Sequence, residues 1–247
     1  MESGTSERKI LGVKFYTGNT QGAVRRMLKG GLLVVPAAPA LKDIGVRASY
    51  REALLNANLA ITDSAFMVLV WNFLQRDSIG RVSGLAYLRE LLLEHEVQKP
   101  GNTLWIMAGS DSAKKNLDWL QSQGIDVASE CVYLAPFYAE TIEDEVLLEK
   151  LEQLRPKHIV VTVGGGTQER LGLYIKKSLS YSPSIHCIGA AIAFLSGDQV
   201  RIPVWADKFG LGWLFRCISS PKTYVPRYWA AWKLVPLLWR YRDRLPV

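Results

Sequence analysis

Residues 158–170 read HIVVTVGGGTQER. Five of the first six side chains are β-branched, the composition of a buried strand. Gly164, Gly165 and Gly166 follow, and then a polar run that suits the first turn of a helix. A strand that ends in glycines and runs into a helix is part of a β-α-β unit. The same alternation recurs on both sides. Toward the N-terminus, strands are expected at Gly31–Ala37, Leu59–Thr62, Thr103–Ala108 and Val127–Tyr133. Helices are expected at Tyr50–Asn58, from the cap Ser64 to about Leu74, at Gly84–Val97, from Gly109-Ser110-Asp111 to about Ser122, and at Thr141–Leu154. Toward the C-terminus a strand, Ile185–Ile188, ends at Gly189. This alternation predicts an α/β fold, a mostly parallel sheet with helices on both faces.

Length and composition agree. A chain of 247 residues fits one large domain, or one domain with an appendage. Hydrophobic residues at 49% and charged residues at 21% exclude a disordered chain and a fibre. Three scattered cysteines, Cys131, Cys187 and Cys217, exclude a disulfide scaffold and point to a reducing cytoplasm. The polar stretch Met1–Lys9 is no secretory leader, and no run approaches the ~18 apolar residues of a membrane span. The charge is uneven. Residues 201–247 hold nine Lys/Arg against Asp207 and Asp243, which is the whole net charge of +7. They also hold five of the eight tryptophans: Trp205, Trp213, Trp229, Trp232 and Trp239. The expected organisation is a Rossmann-like body, residues 1–200, and a basic, aromatic helical appendage, residues 201–247.

Ligands of such sheets bind outside the carboxyl ends of the strands, so the turns there are the candidates. Asp63, directly after Leu59–Thr62, is either a helix cap or a general base. Gly109 with Ser110-Asp111 opens a helix, either as an anion site or as plain turn chemistry. Gly164-Gly165-Gly166 is neither a Walker A loop nor G-x-G-x-x-G, because residue 169 is Glu. Gln168 and Glu169 can contact a sugar or nucleotide there; a loose turn capped by Thr167 is the alternative. His95, His158 and His186 show no metal spacing, and the last two begin strands and read as structural. No D-x-D occurs, and Glu143-Asp144-Glu145 reads as the acidic start of a helix. Arg81, alone, would pass as a surface residue.

Together these segments resemble the WecG/TagA/CpsF family of bacterial glycosyltransferases. Leu59-Ala60-Ile61-Thr62-Asp63 carries a strand-end aspartate. Gly80-Arg81-Val82-Ser83-Gly84 is similar to the family's R-V-x-G, and Gly164 with Gln168-Glu169 to its G-x-P-x-Q-E. Ile188-Gly189-Ala190-Ala191 leads through Phe194, Gly197, Arg201, Pro203 and Trp205 to Gly210-Leu211, Trp213-Leu214-Phe215-Arg216, Pro221 and Arg227-Tyr228. The resemblance spans roughly residues 10–230.

It implies transfer of a sugar from a UDP-sugar to a polyprenyl-diphosphate-linked saccharide, with inversion and with neither metal nor cofactor. By position, Asp63 matches the family's general base. Arg81 suits a diphosphate, Gln168 matches a donor contact, and Gly109, Gly164–Gly166 and Glu169 complete the donor site. Arg201, Arg216 and Arg227 match arginines for the lipid diphosphate. Trp229, Trp232, Trp239, Lys233 and Arg240 are the expected contacts with an anionic membrane surface, on its inner face. Pro236 interrupts Tyr224–Tyr241, so an anchor lying in the interface is expected rather than a span. A second copy of the chain could shelter the same apolar tail. No nucleic-acid motif accompanies the basic segment. The sequence also departs from the pattern. Pro36 and Ala38 replace a Thr and an Asn, Ser64 a Gly, Gly166 a Pro, Ala193 an Asp and Gly212 a Glu. Two other readings therefore stand beside catalysis: a non-catalytic paralogue that binds a lipid-linked saccharide or an assembly partner, and another nucleotide-binding enzyme of Rossmann-like fold.

Overall fold

A computed structural model describes residues 7–246. Residues 1–6, the first part of the stretch Met1–Lys9 read above for a leader, and Val247 lie outside the described residues. Eight strands form one sheet: β1 Glu7–Ile10, β2 Val13–Tyr16, β3 Gly31–Val34, β4 Leu59–Ile61, β5 Thr103–Met107, β6 Val132–Leu134, β7 His158–Val161 and β8 Ser184–Cys187. Their order is β1-β2-β4-β3-β8-β7-β5-β6. Only β1 and β2 run antiparallel; every other neighbouring pair is parallel. The central strands are buried on both faces, as parallel strands between two helical layers must be.

Two apolar layers follow from the alternation of side chains along each strand. On one face Leu32, Val34, Ile106, Val161 and Ile185 pack beneath Leu41, Tyr50, Trp71, Leu151 and Leu171. On the other, Leu33, Ile61, Trp105 and Val160 pack beneath Val24, Tyr87, Leu88, Leu120 and Ile192. The chain leaving β3 packs on the first face and the chain leaving β8 on the second. These strands are neighbours, so their carboxyl ends mark the point at which a doubly wound sheet offers a crevice to a ligand.

The register lines up the candidate turns. Val34 pairs with Ala60 and Cys187, and Val161 with Cys187 and Ile106. Pro36, Asp63, Gly109, Gly164 and Gly189 each follow one of these residues by two or three positions, so all lie along one edge of the sheet.

Several boundaries differ from the sequence reading, each for a local reason. The helix expected at Gly84–Val97 stops at Leu91, and a short turn, His95–Gln98, follows. Gln98 Nε2 donates to the Leu92 carbonyl at 2.7 Å, and Thr103 Oγ1 donates to Val97 O at 2.7 Å, so the bend buries Val97 with its carbonyls satisfied. The helix expected from Thr141 starts at Glu145, because Asp144 is its cap: its carboxylate accepts Leu147 N–H at 3.0 Å. The same carboxylate also accepts the Tyr133 and Tyr138 hydroxyls. The strand expected at Val127–Tyr133 shortens to β6, preceded by a 3-10 turn at Ser129–Cys131.

Past residue 200 come the helices Val204–Lys208, Gly212–Ser219, Pro221–Ala230 and Leu234–Tyr241. Pro226 sits inside the third, and Pro236 in the first turn of the fourth, where a missing N–H leaves no bond unmade. The fourth helix returns to the body: Leu234 and Leu238 are wholly buried in the first apolar layer. The chain end is tied down beyond it. Leu11 N–H donates to Arg242 O at 2.8 Å and Gly12 N–H to Asp243 O at 3.1 Å. Among the described residues, no helix is long and apolar enough to cross a membrane.

Candidate functional site

Asp63 stands two residues past β4. Ser64, not Asp63, caps the next helix, Ala65–Gln75, accepting Met67 N–H at 3.2 Å. Asp63 is thereby released for other work. Its Oδ1 accepts Gly84 N–H at 2.9 Å and Arg81 Nη2–H at 3.3 Å. Among the described residues its Oδ2 takes part in no hydrogen bond, and 27% of the side chain is open to solvent. Thr62 holds the partner loop in place, donating to Gly80 O at 2.9 Å and accepting Val82 N–H at 3.0 Å.

Arg81 uses all of its donor directions on protein oxygens. Nε donates to the Asp63 carbonyl at 2.5 Å, and Nη1 and Nη2 each reach Asp207 Oδ1 at 3.1 Å. Nη1 also donates to the Asp207 carbonyl. Asp207 is buried and accepts the Ser83 hydroxyl as well, at 2.8 Å on Oδ2. Two carboxylates thus share one guanidinium, and the segment after residue 200 is latched onto the Asp63 loop. Gly210, at φ 71°, lies against Ala65 where a Cβ would stand 2.5 Å from the Ala65 methyl. Sequence reasoning counted Asp207 only as a charge. Its distance in sequence from Arg81 hid the pairing, and an acid in a stretch with only one other, Asp243, was the available signal.

The glycine turn forms the other end of the edge. Gly164 and Gly165 are exposed, with open space where a Cβ would stand. Gly166 has φ 90°, and a Cβ there would come within 3.2 Å of Arg47 Nη1. Arg170 braces this turn from below: Nε donates to Gly166 O at 3.0 Å, and Nη1 to Ala139 O at 2.8 Å. Gln168 and Glu169 are both buried at the start of helix Thr167–Ser178. Glu169 joins Gly166 N–H to the Gln168 amide, and burial pushes its carboxyl up to about 6. Arg47 was not singled out in the sequence, because nothing near it in the chain marks it. Gly109 opens helix Ser110–Ser122 at the end of β5, again with open space around it.

Among the described residues none of the remaining candidates bonds to Asp63. Arg216 packs its guanidinium 4.3 Å from the Phe194 ring centre and donates to Tyr228 Oη at 3.2 Å. Arg201 and Arg227 are exposed, with Arg201 beside Gly197. Trp229, Trp232 and Trp239 are 76%, 60% and 66% exposed, and Lys233 and Arg240 are exposed beside them. Trp232 meets Phe66 edge-on at 5.3 Å. Among the described residues, no three His, Cys, Asp or Glu side chains gather as a metal site would require. His158 and His186 are buried in the core instead. His158 Nδ1 lies 3.2 Å from His186 Nε2, and His186 Nδ1 lies 2.8 Å from the Tyr87 hydroxyl.

An aspartate with one open oxygen, a glycine turn and a buried Gln-Glu pair thus lie along one edge of the sheet, the edge at which sheets of this kind bind their ligands. No curated protein matches the sequence closely enough to report. The family model described as the glycosyl transferase WecG/TagA/CpsF family matches residues 8–246, nearly the whole chain. The protein therefore belongs to the WecG/TagA/CpsF family of glycosyltransferases.

Proposed function

We propose that the protein is an inverting, metal-independent glycosyltransferase of bacterial cell-surface polysaccharide synthesis. It moves N-acetylmannosamine, its uronic acid or a related hexose or uronate from UDP to a polyprenyl-diphosphate-linked saccharide. The observation that carries the reading is Asp63. It stands at the carboxyl edge of the sheet, with Oδ1 fixed by Gly84 N–H and Arg81, and Oδ2 unengaged. A base must be held in one orientation and still offer a lone pair to the substrate, and this carboxylate meets both needs.

The acceptor hydroxyl oxygen attacks the anomeric carbon from the side opposite the diphosphate. Asp63 Oδ2 takes the hydroxyl proton as the new C–O bond forms. The bond to the β-phosphate oxygen breaks, and UDP leaves with that electron pair. Arg81 orients Asp63. The open Gly164-Gly165 turn lets the diphosphate approach the backbone, as glycine turns at helix starts do. Arg201, Arg216 and Arg227 serve the lipid diphosphate.

The test is transfer from a labelled UDP-sugar to a short-chain prenyl-diphosphate saccharide, with and without EDTA. Asp63→Asn keeps the shape and removes the charge, so turnover falls by about 10²–10⁴-fold while UDP-sugar binding persists. Turnover unchanged in the variant removes Asp63 from the mechanism, and loss of activity in EDTA contradicts the metal-free chemistry. One observation favours a second reading, that of a paralogue which binds without transferring. Pro36 and Ala38, which replace the family's Thr and Asn, stand after β3 in the crevice and offer no side-chain hydrogen bond. Binding with no transfer to any acceptor selects that reading.

A further inference from the structure

Helix Thr167–Ser178 opens with two polar side chains that water barely reaches: Gln168 is 3% exposed and Glu169 is wholly buried. Both Glu169 oxygens are engaged. Oε2 accepts Gly166 N–H at 2.6 Å, and Oε1 accepts Gln168 Nε2–H at 3.1 Å. A carboxylate only accepts, so the Gln168 amide cannot turn over without setting its own oxygen against another. Its carbonyl oxygen is therefore held away from Glu169, and among the described residues no group donates to it. The flat of the amide lies against the Gly189 turn, with Oε1 at 3.4 Å and Nε2 at 3.5 Å from where a Cβ on Gly189 would stand. Gly189 is the turn after β8, at the mouth of the crevice. The main chain of Gln168 is fixed as well, since its carbonyl accepts from Cys187 Sγ at 3.1 Å.

A buried acceptor left without a donor is unfavourable until something supplies one. We propose that Glu169 is a positioning residue that sets the polarity of Gln168, so that the site takes its nucleotide-sugar through a hydrogen-bond donor of the ligand. That donor is an N–H of the base or a hydroxyl of the sugar. The inference rests on the transferase reading and adds the polarity of one contact to it.

The same geometry gives a pH response. The groups facing Glu169 are the Tyr50 hydroxyl on helix Ala48–Leu55, Arg170 on its own helix and the Cys187 thiol on β8, with Arg47 acting on Tyr50 and Arg170 beside it. Burial dominates, and it holds the carboxyl near 6. Below that pH Glu169 gains an O–H, whose acceptor is the Gln168 oxygen once the amide rotates. The polarity of the site is then lost, and affinity for the donor falls with falling pH.

Two measurements on the full chain test this. The first needs no ligand. The side-chain amide resonances of Gln168, assigned by their loss in Gln168→Ala, shift with a midpoint of about pH 6, and Glu169→Gln abolishes the shift. A Gln168 amide indifferent to pH overturns the proposal and leaves the transferase reading untouched. The second is calorimetry with UDP-N-acetylmannosamine, whose diphosphate does not titrate in this range. The wild type loses about fourfold in affinity between pH 7.5 and pH 5.5, the most that one group titrating near 6 can give. Glu169→Gln, checked as folded by its melting curve, is about tenfold weaker than wild type at pH 7.5 and shows no pH dependence. Equal affinity of Glu169→Gln and wild type at both pH values overturns the proposal. An N3-methylated base analogue separates the two donors: lost binding assigns the base N–H, and kept binding assigns a sugar hydroxyl. If the wild type binds no UDP-sugar while its Gln168 amide still titrates, the transferase reading and the ligand half of the proposal both fall.

Discussion

Asp207 shows how a single side chain joins distant parts of the chain. It accepts from Arg81 and Ser83 at once, and it is buried when it does so. Hydrogen bonds to charged groups contribute about 1.5–3 kcal/mol each, and the donors left behind would keep their desolvation cost. Asp207→Ala is therefore expected to lower the unfolding free energy by about 2–3 kcal/mol, read from a denaturant melt. It should also open the segment after residue 200 to proteolysis, and a variant as stable and resistant as wild type would show that the latch does not matter. Much of the candidate edge was legible in the sequence, because Asp63, Gly164 and Gln168 follow strands that the alternation exposes. Arg47 and Asp207 were not, because only the packing of separate helices brings them to that edge. The two histidines were read as structural, and their burial carries its own prediction. Burial pushes His158 down to about 4, and burial with His158 as neighbour pushes His186 down as well. The unfolded chain takes up protons near pH 6.5, before the folded one does. Stability is thus complete above about pH 6.5 and falls as the pH drops toward 4, by up to ~1.4 kcal/mol per pH unit for each histidine. A pH series of denaturant melts measures the slope, which His158→Gln should reduce; a flat series would mean that neither histidine stays neutral in the folded core.

At the scale of elements, the parallel sheet was readable from its runs of β-branched residues, whereas the hairpin β1–β2 was not. A two-residue hairpin turn usually announces itself by Asn-Gly or Asp-Gly, since both positions take positive φ. Here the turn is Leu11-Gly12, at φ 48° and 82°. Leu11 tolerates the left-handed conformation because its side chain is wholly buried in the core and its N–H reaches Arg242 O. The tertiary structure thus overrides the local rule, and the sequence signal disappears with it. Gly12 has no such freedom: a Cβ would stand 2.9 Å from Leu245 Cβ. Gly12→Ala adds a left-handed penalty of about 1–2 kcal/mol to that clash. The expected result is a lower melting temperature, with faster hydrogen exchange at Leu11 and Gly12, whose amides bind the chain end. An unchanged melting temperature would show that the C-terminal residues can move aside at no cost.

For the whole molecule, the question is how a body with balanced charge would find the lipid-linked acceptor proposed for it. Beyond residue 200 the chain presents Trp229, Trp232 and Trp239 to solvent together with Lys233 and Arg240, and Leu69 and Phe73 are exposed on helix Ala65–Gln75, which packs against the returning helix Leu234–Tyr241. Tryptophan favours the level of the lipid headgroups, and each basic side chain near an anionic surface contributes about 1 kcal/mol to attraction. We expect this face to lie on the membrane, with the crevice beside it. Truncation is a poor way to ask, because Leu234 and Leu238 belong to the main core, Leu245 packs against it, and removing them would damage the body. Substitutions at exposed positions avoid that. Replacing Arg227, Lys233 and Arg240 with Gln should lower binding to vesicles rich in anionic lipid by about a hundredfold, at ~1 kcal/mol for each charge, and leave the melting curve unchanged. Replacing Trp229 and Trp239 with Ser should weaken binding even to neutral vesicles, because it removes apolar surface rather than charge. If both sets sediment with vesicles as the wild type does, the basic, aromatic face has another occupant. A second copy of the chain would then reveal itself as a larger species in sedimentation velocity, one that the tryptophan substitutions dissociate.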